Sequence, residues 1–190
     1  MTSTRQDLLD ATRATIRTAG LAGASSREIT RAAHANLAAI TYYFGSKDEL
    51  ISEALFGELE RRVQPALALL DGPGTPEERL VHVVQALSEE FERSRADTLV
   101  YFEALVSAAR DGNPDNVALA LYQSLRGRLA EVMVELQADE AIPAWVDPPA
   151  MASLILAVAN GIALQTRLDP DGPGHATIAS QFAQLLLAAR

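Results

Sequence analysis

Apolar residues recur at three- and four-residue spacing along most of this chain, the period of helices that bury one face. Leu8, Leu9, Thr12, Ile16 and Ala19 form the first such stripe, and Ile29, Ala32 and Ala33 a short second one. A third gathers Ile40, Tyr43 and Phe44, leaving Ala38, Thr41 and Tyr42 pointing the other way. Two stretches near the C-terminus are apolar over most of their circumference. One carries Ala150, Ala152, Leu154, Ile155, Ala157, Val158, Gly161, Ile162 and Leu164, the other Ile178, Phe182, Leu185, Leu186 and Leu187. A surface helix needs only one apolar stripe, so these two call for a second packing partner.

Start and stop signals turn the stripes into elements. Ser25–Glu28, Ser46–Glu49 and Thr75–Glu78 each fit the Ser/Thr-x-x-Glu capping box. Asn113-Pro114 and Asp147-Pro148 read as a cap followed by proline at the first helical position, where a missing N–H costs nothing. Gly20 and Gly23 close the first helix, and Asp71–Gly74 and Asp169–Gly174 are turns. The signals predict about nine helices, over 3–19, 26–33, 37–44, 47–70, 76–94, 96–110, 114–138, 148–168 and 175–189. The expected fold is all-α: a three-helix N-terminal head, residues 1–46, and a helical bundle, residues 47–190. The fourth helix opens at the boundary without a break, as a rigid rod would.

Composition agrees with helices. Apolar residues make up 48% of the 190, aromatics only 5%, and the Ala and Leu that dominate lose little on entering a helix. The absence of cysteine excludes disulfides, thiolate metal sites and cysteine nucleophiles. The polar N-terminus lacks the apolar core of a secretory signal. The longest apolar candidate, Met151–Leu168, is interrupted by Ser153, Asn160, Gly161 and Gln165, so the sequence reads as soluble and cytoplasmic. The net charge of −9 is unevenly divided: residues 1–50 hold six basic and five acidic side chains, leaving ten and twenty for the rest. A near-neutral head on an acidic body points weakly to an anionic partner at one end.

Enzyme chemistry finds little footing. A di-iron bundle needs paired Glu-x-x-His motifs, yet the three histidines are His34, His82 and His175, and the nearest acidic partner is Glu78. No phosphate-cradling glycine loop and no nucleophile elbow occurs. No catalytic residue, cofactor or metal is expected.

A short helix, a tight turn and a second short helix, bracketed by packing helices, is the helix-turn-helix plan. Ile29-Thr30-Arg31-Ala32-Ala33, followed by Ile40-Thr41-Tyr42-Tyr43-Phe44-Gly45-Ser46-Lys47-Asp48-Glu49-Leu50, resembles the signature of the tetracycline-repressor (TetR) family of transcriptional regulators. The resemblance spans about 45 residues. It implies a dimeric repressor that binds a palindromic operator and is released by a small-molecule effector. The DNA-binding set it implies is Ser26, Arg27, Asn36, Ala38, Ala39, Thr41, Tyr42 and Lys47. Lys47, at a helix N-terminus, would meet a phosphate. Ser26 and Arg27 are placed for further backbone contacts, Thr41 and Tyr42 for hydroxyl hydrogen bonds to phosphate, and Ala38 and Ala39 for thymine methyls. The chain departs from the family at two positions: His34 stands at a turn position usually held by glycine, and Leu37 where lysine is common. The third helix has neither Lys nor Arg, so bidentate reading of guanine from it is not expected.

The resemblance also implies an effector pocket among helices 4–7 and dimerisation through the last two helices. Phe91, Tyr101, Phe102, Tyr122, Met133 and Trp145 are the large side chains in the stretch that should line the pocket, with Glu103 a possible cation contact. The effector itself is not legible. The competing reading is a non-catalytic helical interaction module without DNA binding, and affinity for DNA at low salt separates the two.

Overall fold

The computed structural model describes residues 4–94, 97–111, 113 and 116–188, and the side chains of these except Asp111 and residues 186–188. Among the described residues there are nine α-helices and no strand: α1 Thr4–Gly23, α2 Ser26–Ala32, α3 Leu37–Phe44, α4 Lys47–Leu67, α5 Pro76–Arg93, α6 Thr98–Asp111, α7 Val117–Ala138, α8 Pro148–Leu168 and α9 His175–Ala188. A short 3-10 turn, Ala68–Asp71, follows α4. The expected helix ends at residues 3, 96, 114 and 189 lie outside the described residues, as do the side chains of Leu186 and Leu187.

Local chemistry explains where most helices begin. Asp147 accepts from the Ala150 N–H (2.7 Å) with Pro148 at the first helical position, as anticipated for α8. Of the three capping boxes, only Thr75–Glu78 closes reciprocally, Thr75 Oγ1 accepting from Glu78 N–H and the Glu78 carboxylate from Thr75 N–H (2.9 Å). Ser25 and Ser46 each make the forward bond, at 3.2 and 3.1 Å, but Glu28 turns to Arg31 and Glu49 accepts from Asn113. Helix α7 is capped by Asn116, whose side-chain oxygen accepts from the Ala118 N–H (2.8 Å). Helix α1 runs past residue 19 to Gly23, kinked at Gly20, whose φ of 70° only glycine adopts freely.

The contacts define two compact units, Met1–Glu60 with Leu99–Leu121, and Arg61–Thr98 with Tyr122–Arg190. The expected cut falls after residue 46, whereas the first unit also takes in the first part of α4, α6 and the start of α7 along with α1, α2 and α3. In the first unit Leu8, Ile29, Leu50, Ala54 and Phe56 are completely buried, and Phe56 packs edge-on against Tyr101 at 5.6 Å. Two expected core positions are corrected: Ala19 and Ala32 face solvent, and Thr30 is buried instead, its hydroxyl donating to the Ser26 carbonyl (2.8 Å) so that no bare polar group enters the core.

In the second unit Val83, Met133, Leu136 and Ala152 form the deepest layer. Two guanidiniums hold the turn that separates α4 from α5. Arg79 donates to the Leu70 carbonyl (2.5 Å) and pairs with Glu135; Arg128 donates to Asp71 (2.7 Å) and to the Leu67 carbonyl (3.3 Å). Helix α8 is less interrupted than its sequence suggested: over an 18-residue window its mean hydropathy is 1.4, enough by length and composition to cross a membrane. In this fold the same property leaves Leu154, Leu164 and Leu168 exposed along it.

Candidate functional site

Helices α2 and α3 are held at both ends. At the end of α2 the Ala35 N–H reaches the Thr30 carbonyl (2.9 Å) and the His34 N–H the Arg31 carbonyl (3.3 Å), the pair of bonds that closes a helix with one residue in the left-handed region. His34 is that residue, with φ of 52°. The turn usually made with glycine therefore survives with a histidine, at a small backbone cost. Asn36 caps α3 through its side-chain oxygen, which accepts from the Ala39 N–H (2.9 Å). The role of Asn36 as a cap precedes any contact it makes with a ligand. Ile40 and Phe44 anchor α3 into the core, and the Arg5 guanidinium lies over the Phe44 ring, 5.1 Å from its centroid, while pairing with Glu53 of α4.

With one side buried and both ends fixed, the rest of α3 is a presented surface. Leu37, Ala38, Thr41 and Tyr42 are all exposed, Tyr42 at 81%, and Ala39 is half-buried. Tyr43, expected to pack inward, is 39% exposed and meets the Tyr42 ring edge-on at 4.8 Å. An eight-residue helix has too short a buried face to cover both Phe44 and its neighbour. The face offers small, apolar and hydroxyl groups and no charge.

The cations lie on the neighbouring helices α1, α2 and α4. Arg5, Arg13 and Arg31 are committed to Glu53, to Asp10 and Glu58, and to Glu28. Arg17, Arg27 and Lys47 have no carboxylate partner among the described residues; Arg17 and Arg27 are exposed, and Lys47 is half-buried at the first position of α4. Arg27 and Lys47 were anticipated. Arg17 was not, and the signal that identifies it is the absence of an acidic residue against it, which the sequence does not display. Ser26, at the start of α2, is half-buried.

The six aromatic and methionine side chains expected in a pocket do not share one environment. In the first unit Tyr101 packs on Phe56 and Phe102, and Phe102 lines an open groove of about 670 Å³ with Leu21, Ile51, Leu99, Val106 and Lys47. Glu103 lines the same groove and is exposed. In the second unit Phe91 stacks on His175 with ring centroids 5.1 Å apart. The Tyr122 hydroxyl accepts from the Asn160 amide (2.6 Å), and Met133 is fully buried core. Trp145 stands apart from the other five: it is 76% exposed, in the loop before α8. A second groove, of about 570 Å³, runs between α5 and α9 past Val84, Ser88, Glu92, Ala176 and Ser180.

Sequence alone assigns His175 no role beyond its place among the three histidines. It opens α9, is only 5% exposed, and neither ring nitrogen has a hydrogen-bond partner among the described residues. Burial lowers its pKa below the ordinary 6.5, and the Glu92 carboxylate opposes that shift only in part.

Comparison with known proteins places these features. Residues 8–54 match the family model "Bacterial regulatory proteins, tetR family", and residues 76–189 match "BetI-type transcriptional repressor, C-terminal". The nicotine-responsive transcriptional repressor HdnoR of Paenarthrobacter nicotinovorans is 26% identical over 171 residues, covering 90% of this chain and 87% of that one. The transcriptional regulator PksA of Bacillus subtilis (strain 168) is 24% identical, covering 87% and 80%. Among solved structures, the multidrug binding protein EbrR, complexed with imidazole, superposes with a TM-score of 0.72 at 26% identity over 100% of this chain and 98% of that one. Thermus thermophilus FadR in complex with lauroyl-CoA superposes at 0.73 and 21% identity, covering 97% and 94%, a likeness of fold. A capped helix-turn-helix with a presented second helix, followed by a helical domain of repressor type, makes this chain a member of the TetR family, a DNA-binding, effector-responsive transcriptional repressor.

Proposed function

We propose that the chain binds an inverted-repeat operator as a homodimer and lets go of it when a small-molecule effector binds. In this reading residues 1–46 are the DNA-binding head, and residues 47–190 bind the effector and dimerise through α8 and α9. The protein works in the cytoplasm, where its operator is. The observation that carries the reading is the exposed face of α3 on a frame fixed by caps and core anchors, with Arg27 on α2 and Lys47 at the start of α4 having no carboxylate partner among the described residues.

The contacts divide by chemistry. Lys47, at the start of α4, takes a phosphate with help from the helix's free N–H groups, and Ser26 and Arg27 take others. Thr41 and Tyr42 donate hydroxyl hydrogen bonds, and Ala38 and Ala39 allow the helix to approach thymine methyls closely. Since α3 offers no guanidinium, specificity rests on apolar contacts, on the surrounding cations and on DNA shape. Two heads on a two-fold axis place their α3 helices in successive major grooves, roughly 34–36 Å apart or somewhat more.

Release needs a path from effector to head. The α6–α7 turn is tied to α4 by the Ser52 hydroxyl donating to Asn116 (3.2 Å, both buried) and by Asn113 donating to Glu49 (3.4 Å). An effector that displaces this turn moves the helix that carries Lys47. Of the side chains expected at the effector, Phe91, Tyr101, Phe102 and Tyr122 are half-buried and stay candidates for contact, while Met133 is buried core. The nicotine-responsive relative and the imidazole-bound one make nitrogen heterocycles the first effectors to screen. Release corresponds to a coupling free energy of about 1–3 kcal/mol, and a compound that binds both states equally releases nothing.

Selection from a random duplex pool, followed by anisotropy titration at two salt concentrations, tests the reading. A palindromic sequence bound by a dimer, with affinity falling as salt rises, is expected. No enrichment at any salt concentration would overturn ligand-free DNA binding.

A further inference from the structure

Trp145 is the chain's single tryptophan, and the loop that exposes it is built to hold it still. Ala141, Ile142 and Val146 are buried on either side of the indole, which fixes the chain before and after it. From the last turn of α7 the Gln137 amide donates to the Val146 carbonyl (2.7 Å) and the Pro143 carbonyl (3.2 Å), with the Ala144 carbonyl at 3.5 Å. The Val146 N–H closes a turn onto the Pro143 carbonyl (3.1 Å), and Asp147 then caps α8. An aromatic presented on a braced loop loses little freedom when it is covered, which is why Trp is enriched among the residues that dominate interface energies.

Charge identifies what covers it. Between Pro143 and Ala188 the ionised side chains are Asp147, Arg167, Asp169 and Asp171, in a chain with 16 basic and 25 acidic residues. Nucleic acid would need cations there, and a strongly charged protein would need countercharge. Two copies of a chain with net charge −9 repel, except where they meet through a neutral surface. Along the chain after Trp145, Leu154, Leu164 and Leu168 of α8 and Leu185 of α9 are likewise exposed. We propose that Trp145 is an anchor of the self-association interface, its indole packed against the second copy beyond the edge of the helix pair. The inference rests on the dimer reading above and extends it to a residue outside both helices. A covered Trp contributes roughly 150–250 Å² against about 800 Å² per partner in an interface of standard size.

Sedimentation of the parent, Trp145→Ala and Trp145→Phe over a concentration series, with acrylamide quenching of the parent's intrinsic emission, tests this without any label. The indole of the dimer should emit to the blue and resist quenching. Trp145→Ala should raise the dimer Kd by about thirtyfold or more, with Trp145→Phe intermediate and far-UV circular dichroism unchanged. A dimer whose indole is quenched like free tryptophan, or whose Kd is unmoved by Trp145→Ala, overturns the anchor and leaves the dimer standing. A parent that is monomeric throughout the series overturns both.

Discussion

Helices α3 and α9 are both short, apolar for their length and placed at an expected interface, yet they are secured in opposite ways. Helix α3 has a side-chain cap at its start, a left-handed closure before it and two buried anchors, so its outer face is free of structural duty. Helix α9 begins with a buried histidine that has no hydrogen-bond partner among the described residues and is held by ring stacking and apolar packing on α5. A surface that reads DNA needs its backbone fixed before the ligand arrives, because ordering it later would subtract from affinity. A helix whose outer face is to be covered by another subunit can leave part of its restraint to that subunit.

The most damaging way to break the comparison is through the anchor of α3. Phe44→Ala removes a buried ring together with the surface on which Arg5 rests, and should destabilise the first unit by about 3–5 kcal/mol. DNA binding should be lost while sedimentation still reports the parent's oligomeric state. If chemical denaturation shows one transition shifted as a whole, the two units do not unfold separately.

Lys47→Ala leaves the frame alone and removes one cation per head. Binding should weaken about tenfold or more on operator and random duplex alike, and the slope of log K against log salt should fall by about 2 for a dimer. A variant that binds as the parent does would reduce Lys47 to a solvated charge. Arg17→Ala, at the cation that only the structure identifies, should show the same uniform weakening to a smaller extent.

Acid distinguishes the two helices next. His175 has a lowered pKa in the folded protein, so below pH 6.5 the unfolded chain takes up a proton that the folded one refuses. Its contribution to stability is therefore intact above pH 6.5 and declines as the pH falls below that value toward the folded pKa. Thermal melts from pH 8 to 5 should show this decline in the parent and a flatter profile in His175→Phe, which keeps the stack on Phe91 without a titrating group. Equal slopes in the two proteins would assign the acid sensitivity elsewhere.

How far such differences could be read in advance varied with the range of the interaction. Caps, prolines and turn residues act within four positions, so Asp147 and Thr75 were legible from spacing, although the cap role of Asn36 was not read from it. The face of α3 was legible because Ile40 and Phe44 leave only one other side. What the sequence could not display depends on neighbours far along the chain. Thr30 enters the core because its hydroxyl finds a carbonyl in its own helix, and Tyr43 is pushed out once Phe44 is in. Trp145 faces solvent because Gln137 fixes the loop around it. The large side chains of the body share one chemical character, and only contacts separate Met133 as core from Phe91 as a stacking partner.

The smallest expected effect sharpens the comparison where the sequence makes two regions look alike. Ser25–Glu28 and Thr75–Glu78 have the same capping pattern, but only the second closes both ways. Thr75→Ala and Ser25→Ala each remove one forward cap bond, of 3.3 and 3.2 Å, and each should cost about 1 kcal/mol. Glu78→Ala should cost a few tenths of a kcal/mol through the backbone bond it gives up, whereas Glu28→Ala should cost less, since its partner Arg31 is exposed and the pair is screened by water. Freed of Glu28, Arg31 becomes a further unpaired cation beside α3. Glu28→Ala should then leave the melting temperature unchanged and tighten binding to random duplex at low salt. Unchanged affinity would mean that Arg31 lies too far from the DNA backbone for its charge to count.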